Sequence, residues 1–196
     1  MSGIVGSYFN TRGSGVVAKL GTDGQVFTST GAGLSQGFEA AAGGGKIGQV
    51  VQTVVSDTTN TTSSSYADIS GMTVAITPVA TSSKILVNVS ASLGNKSDYS
   101  GECKLLRDST QIAHGDADGD RSRVTFQFHG DDNENDLATQ NMLYLDSPSS
   151  TSELTYKLQW FVESSGDGRL NYSNSVTDSA LVGRTASTMT VMEVLA

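Results

Sequence analysis

The chain is short of most residue types on which chemistry depends. Of its 196 residues one is cysteine, Cys103, and two are histidine, His114 and His129. A lone thiol closes no intrachain disulfide, and nothing beside Cys103 polarises it as a catalytic thiolate requires. Neither histidine stands in a Ser/His/Asp or Cys/His context, so no nucleophile is marked among the many hydroxyls. Long apolar runs are missing too. No stretch approaches the roughly 18 apolar residues of a membrane span, and the opening MSGIVGSYFN has neither a basic n-region nor an apolar h-region. The expectation is a soluble product made inside a cell, with no membrane insertion. Cations are scarce: 12 Lys and Arg stand against 20 Asp and Glu, a net charge of −8. That balance opposes a nucleic-acid partner, because such affinity comes largely from cations that displace counterions from phosphates. Charged residues make up only 16% of the chain, so hydroxyls rather than ion pairs cover its surface. Such a profile suits an extracellular or particle-surface β protein.

What the chain does have is glycine, unevenly placed. Twelve of its 22 glycines fall in the first 45 residues, and the tract ends in AAAGGGK. We read a boundary there, with residues 1–46 as a glycine-rich N-terminal anchoring or linker segment and residues 47–196 as one domain. A body of roughly 150 residues hides about 68–70% of its unfolded surface, enough for a single core. Within the segment, GTDGQVFTSTGAG sets an Asp-Gly turn beside a short alternating run and reads as a flexible hairpin. It lacks the Gly-Lys-Ser/Thr ending of a phosphate-cradling loop. Apolar residues are too thinly spread here for a local core, so the segment must borrow order from a partner. Residues 38–42, from Phe38, read as a helical turn stopped by Gly43, Gly44 and Gly45.

From Ile47 onward the period is two. SKILVNVSASL sets Ile85, Val87, Val89 and Ala91 on one side and Leu86, Asn88, Ser90 and Ser92 on the other, the alternation of a half-buried strand. LTYKLQWFVES repeats it with Leu154, Tyr156, Leu158, Trp160 and Val162, and RVTFQFHG with Val124, Phe126 and Phe128. QVVQTVV, MTVAIT, ECKLL, NMLYL, RLNYS and STMTVMEVL complete a set of about nine short strands with no intervening helix. That set predicts an all-β antiparallel sandwich or barrel. The last strand differs from the others, for Met189 and Val191 point one way and Met192 and Val194 the other. A strand apolar on both faces is covered on both. The domain's own core accounts for one face, and either a loop or neighbouring copies of the chain cover the second.

The acidic stretch HGDADGDRSR is the natural place to look for a site. Read as a calcium loop opening at Asp116, it puts Asp118 and Asp120 at positions 3 and 5, but Arg121 replaces the glycine at 6 and Gln127 the glutamate at 12. The EF-hand motif fails. A different cation loop shared with DDNEND at residues 131–136 stays open beside a simpler reading, in which Gly115 and Gly119 permit a tight turn, the aspartates bond nearby amides, and Arg121 and Arg123 partly neutralise them. A carboxylate pair for glycoside cleavage can be drawn among Asp116, Asp118, Asp131 and Glu134. A general acid, however, needs an apolar pocket to raise its pKa, and these loops are polar. We therefore expect no enzyme, no catalytic residue and no cofactor. Trp160 and Phe161 suggest a sugar-stacking surface, although the parity of Trp160 with Leu158 and Val162 assigns it to the core.

Several segments, in order, carry a resemblance: KLGTDGQVFTSTGAG, SYADISGMTVAITPVATSSKILVNVSASL, LLRDSTQIAHGDADGDRSR, LDSPSSTSELTYKLQ and GRTASTMTVMEV. Together they span most of the chain, and the combination resembles the fibre and particle-surface proteins of tailed bacteriophages, particularly those of marine bacteria. The resemblance implies a trimeric jelly roll of the tumour-necrosis-factor-like kind, with Met189, Val191, Met192 and Val194 in or near packing about a threefold axis. About 46 residues at no more than roughly 3.3–3.6 Å each leave little room for a fibre shaft ahead of it. The expectation is a homotrimer on the virion surface, a capsid decoration or short head fibre bound to phage capsid or tail proteins. Ile4, Val5, Tyr8 and Phe9, the densest apolar group of the N-terminal segment, are the candidate anchor. The alternative is a tail-fibre tip module that recognises host surface glycans.

Overall fold

The computed structural model describes residues 25–28, 37–40, 46–130, 136–173, 178, 180 and 182–196. The chain divides into two units, Met1–Gly45 and Lys46–Ala196. In the first, β1 (Gln25–Thr28) pairs antiparallel with β2 (Gly37–Ala40), Gln25 opposite Ala40 and Thr28 opposite Gly37. Phe38 is thus in a strand and not in the helical turn expected from the sequence. So short a segment cannot meet the cost of helix nucleation, whereas the ladder to β1 satisfies its backbone groups at once.

The second unit is an antiparallel β-sandwich. Its main strands are β3 (Ile47–Val55), β5 (Ala67–Ile76), β6 (Lys84–Gly94), β7 (Ser100–Arg107), β9 (Phe126–His129), β10 (Ala138–Asp146), β11 (Leu154–Val162) and β13 (Ser187–Val194). One sheet runs β3-β13-β6 with β10 on the far side of β6; the other runs β5-β11-β7 with β9 beyond β7. The chain passes repeatedly between sheets, from β3 to β5, from β6 to β7 and from β10 to β11, as in a jelly roll. Three three-residue strands complete it: β4 (Thr59–Thr61) and β12 (Gly168–Leu170) extend the first sheet beside the end of β6, and β8 (Thr110–Ile112) pairs with β7.

Alternation builds the core. Ile85, Val87, Val89, Ala91 and Leu93 of β6 face Leu154, Tyr156, Leu158, Trp160 and Val162 of β11 across the sandwich, all buried. Trp160 belongs to this core, and Phe161 turns to the other side of its sheet. In β5 the inward parity changes between Ile69 and Met72. Gly71, at φ +80°, absorbs the irregularity, and a Cβ there would lie 2.9 Å from Val55.

Buried polar groups tie the layers together. Asp146, at the end of β10 in the first sheet, accepts two bonds of 2.8 Å from Arg107 Nη1 and one of 2.7 Å from the Tyr156 hydroxyl, both in the second sheet. Burial, and then that bond to Asp146, push the Tyr156 phenol above its ordinary pKa. Glu193 is fully buried and accepts from the Val79 N–H at 2.7 Å and from the Gln49 amide at 2.8 Å. Asn171, at φ +67°, ends β12 one residue after Leu170, so RLNYS is a shorter strand than its pattern suggests. Its amide donates to the Val55 and Asp57 carbonyls at 2.7 and 2.8 Å and accepts from Ser187 Oγ at 2.6 Å.

Candidate functional site

Strand register assembles one surface that no single segment contains. On the outer face of the first sheet, Val50 of β3 pairs with Met192 of β13, Met192 with Leu86 of β6, and Leu86 with Leu145 of β10. Side chains of directly paired residues lie on the same face, so four apolar groups cross the four main strands of the sheet in one row. Val194 and Ile47, also paired, extend the row on one flank. On the other flank runs a second row, Gln52, Thr190, Asn88 and Leu143, followed by Val54, Thr188, Ser90 and Asn141. The face is therefore apolar toward the end of β13 and rich in hydroxyls and amides toward its start. Exposure of its large apolar side chains is high: Val50 58%, Val54 58%, Leu143 64%, Leu145 46% and Ile47 47%.

The face has a second peculiarity. In a chain of net charge −8, no Asp or Glu occupies an outward position of β3, β13, β6 or β10; the single charge there is Lys84. The outer face of the second sheet is of the opposite kind. Asp68 pairs with Lys157 at 2.9 Å and accepts from the Gln159 amide at 2.7 Å, the Tyr66 hydroxyl donates to Glu102, and Lys104 Nζ lies 3.5 Å from the Tyr66 ring centre. Nearby, a cavity of about 470 Å³ is lined by Glu102, Arg121, Ser122, Val124 and Gln127.

Of the residues singled out in the sequence, Met192 and Val194 lie on the apolar face. Met189 and Val191 are in the domain's own core, 0% exposed. Ile4, Val5, Tyr8 and Phe9, the anchor candidates, lie outside the described residues, as do Asp131 and Glu134. Asp116, Asp118 and Asp120 are exposed, and no group of three or more acidic, His or Cys residues is gathered for a metal among the described residues. Arg121 meets Asp118 at 3.0 Å across solvent, but Arg123 turns away from the aspartates to the Gly115 carbonyl at 2.9 Å and the His114 ring. Gly119, at φ +56°, shapes that turn, whereas Gly115 is not in the left-handed region. Burial pushes the Cys103 thiol far up, so it stays protonated. Sequence reading missed Val50, Leu86, Leu143 and Leu145, whose common signal was an apolar residue at the outward parity of its strand.

No family model matches the chain, and no curated protein does. Among solved structures, the chain is similar to the D431N mutant VP2 protein of infectious bursal disease virus in derived T=1 particles, at 10% identity and a TM-score of 0.36, over 86% of this chain and 40% of that one. It is similar also to the VP2 subviral particle of infectious bursal disease virus, at 11% identity and a TM-score of 0.33, over 88% of this chain and 43% of that one. The chain spans less than half the length of either. What fold and surface define together is an all-β sandwich with one carboxylate-free face that is apolar toward the end of β13.

Proposed function

We propose that the chain is a non-enzymatic structural protein of a bacteriophage virion: a homotrimeric capsid decoration or short head fibre, attached through its glycine-rich N-terminal segment. The observation that supports this reading most is the outer face of the β3-β13-β6-β10 sheet. Contiguous apolar surface of this kind marks an interaction site, and a sister copy suits it best. Chains that each carry −8 repel one another, so they approach most easily through a face that carries no carboxylate. The resemblance to phage particle-surface proteins implies three copies. Three linked anchors, each built on Ile4, Val5, Tyr8 and Phe9, bind a particle with an avidity that one weak anchor lacks.

Two experiments test the reading separately. Leu145→Glu puts a carboxylate on the face at a position exposed in the single chain, so the fold should survive and the trimer should dissociate; an intact Leu145→Glu trimer rules this face out. The full chain should co-purify with capsids, and a chain beginning at Lys46 should remain trimeric but fail to attach. Equal decoration by the truncated chain disproves the anchor.

A second reading, a tail-fibre tip module for host surface glycans, draws on the cavity lined by Glu102, Arg121, Ser122, Val124 and Gln127. Carboxylate, guanidinium, hydroxyl and amide groups suit sugar hydroxyls, with Val124 as an apolar contact. Binding on a glycan array that is lost in Glu102→Ala, together with absence from purified heads, favours this reading over the first.

A further inference from the structure

This inference rests on the reading that copies of the chain cover the β3-β13-β6-β10 face. In the row next to the apolar one, the Gln52 amide donates to Thr190 Oγ1 at 2.7 Å, and Thr190 is 6% exposed. That pair is already satisfied. Asn88 is different. It stands in the middle of β6, the central strand of this face, opposite Thr190 on one side and Leu143 on the other, and two residues from Leu86 along its own strand. Its side chain is exposed and makes no hydrogen bond among the described residues.

An apolar row alone specifies little. Copies slid by two residues along the strands still bury Val50, Met192, Leu86 and Leu145, because hydrophobic contact is not directional. An amide inside the contact is directional. Once covered, an unpaired Asn88 is penalised, so arrangements that bring it a partner are favoured. An asparagine carries both a donor and an acceptor. In a closed ring of copies, each Asn88 can donate to the next and accept from the one before, with no end left over. We infer that Asn88 fixes the register in which the copies meet, as a single buried asparagine does in coiled coils.

The test compares the full-length wild type with Asn88→Leu by native mass spectrometry and sedimentation velocity, with thermal melting in parallel. Wild type should give trimer as its single main species. Asn88→Leu should fold and melt no lower, yet its ratio of trimer to other oligomers should fall about tenfold, the change that about 1.4 kcal/mol of lost discrimination brings. A purely structural role predicts the reverse pattern, a lower melting point with trimer still alone. If Asn88→Leu aggregates, Asn88→Thr takes its place, since it keeps one hydroxyl but lacks the paired donor and acceptor; a smaller fall in the same ratio is expected. Trimer alone in every soluble variant overturns the role of Asn88 and leaves the face reading standing. A wild type that stays monomeric overturns both, and Leu145→Glu separates the two claims in any trimeric sample.

Discussion

Replacing Asp146 by alanine tests how the two sheets are held together. Asp146 is 4% exposed, and its carboxylate carries the Arg107 guanidinium, the Tyr156 hydroxyl and the Ser147 N–H, the last at 2.9 Å. Asp146→Ala removes the acceptor from all three at once. Breaking a buried ion pair costs about 3–5 kcal/mol. The lower end applies because the Arg107 side chain is 23% exposed and keeps some contact with water. The Tyr156 hydroxyl, fully buried, adds about 1–3 kcal/mol when orphaned. A loss of about 4–5 kcal/mol is expected, roughly a quarter or more of an ordinary domain's stability of about 5–15 kcal/mol. At about 2–4 °C per kcal/mol, the melting point drops by roughly 8–20 °C. Trp160, the only tryptophan and 3% exposed, reports unfolding in urea by its fluorescence, with protein concentration held constant because the midpoint of an oligomer depends on it. Tyr156→Phe keeps the ion pair and should cost only about 1.5–3 kcal/mol. If Asp146→Ala costs less than about 1 kcal/mol, or no more than Tyr156→Phe, the clasp contributes little and the argument fails.

Three further outcomes follow from particular contacts. Burial raises the pKa of Glu193, but the Val79 N–H and Gln49 amide bonded to its charged form bring it below its ordinary value of 4.5; its stabilisation is therefore complete above that pH and lost as pH falls through the folded value. Glu193→Gln should thus be less stable than wild type at pH 7, with the gap narrowing below about pH 4.5; urea midpoints that keep a constant gap from pH 7 to 3 contradict this. A Cβ on Gly130 would sit 1.9 Å from the Lys96 carbonyl oxygen, whereas one on Gly115 meets nothing within 4 Å; Gly130→Ala should cost at least about 1–3 kcal/mol, and Gly115→Ala should stay within about 0.5 kcal/mol, both by urea unfolding. Cys103, buried and protonated, should resist a thiol reagent in the folded protein and react fully in urea; fast labelling without urea shows that the core opens.

Much of the fold can be read from alternation alone, because strands with one face in a filled core must repeat every two residues. That is why β3, β5, β6, β7, β9, β10, β11 and β13 stand out in the sequence. The short strands β4 and β8, TNT and TQI, carry no such pattern; their partners β12 and β7 impose the extended backbone. The two-sided character of β13 was legible, and so was its division into Met189 with Val191 and Met192 with Val194. The rest of the apolar face was not. In NMLYL both parities are apolar, Met142 and Tyr144 against Leu143 and Leu145, and only the pairing with β6 decides which pair faces out. Val50 and Leu145 are far apart in the chain, and register alone puts them in one row. The inward parity of Glu193, beside Val191, was a signal available in the sequence and left unused.

The most direct check on the central claim is the mass of the full-length protein by sedimentation equilibrium, combined with the oxidation rate of Met192. A covered face predicts three times the 20.4 kDa chain mass and a Met192 that oxidises slowly until Leu145→Glu separates the copies. A single-chain mass at high concentration, with Met192 oxidised as fast as free methionine while Met189 stays protected in its core, contradicts it.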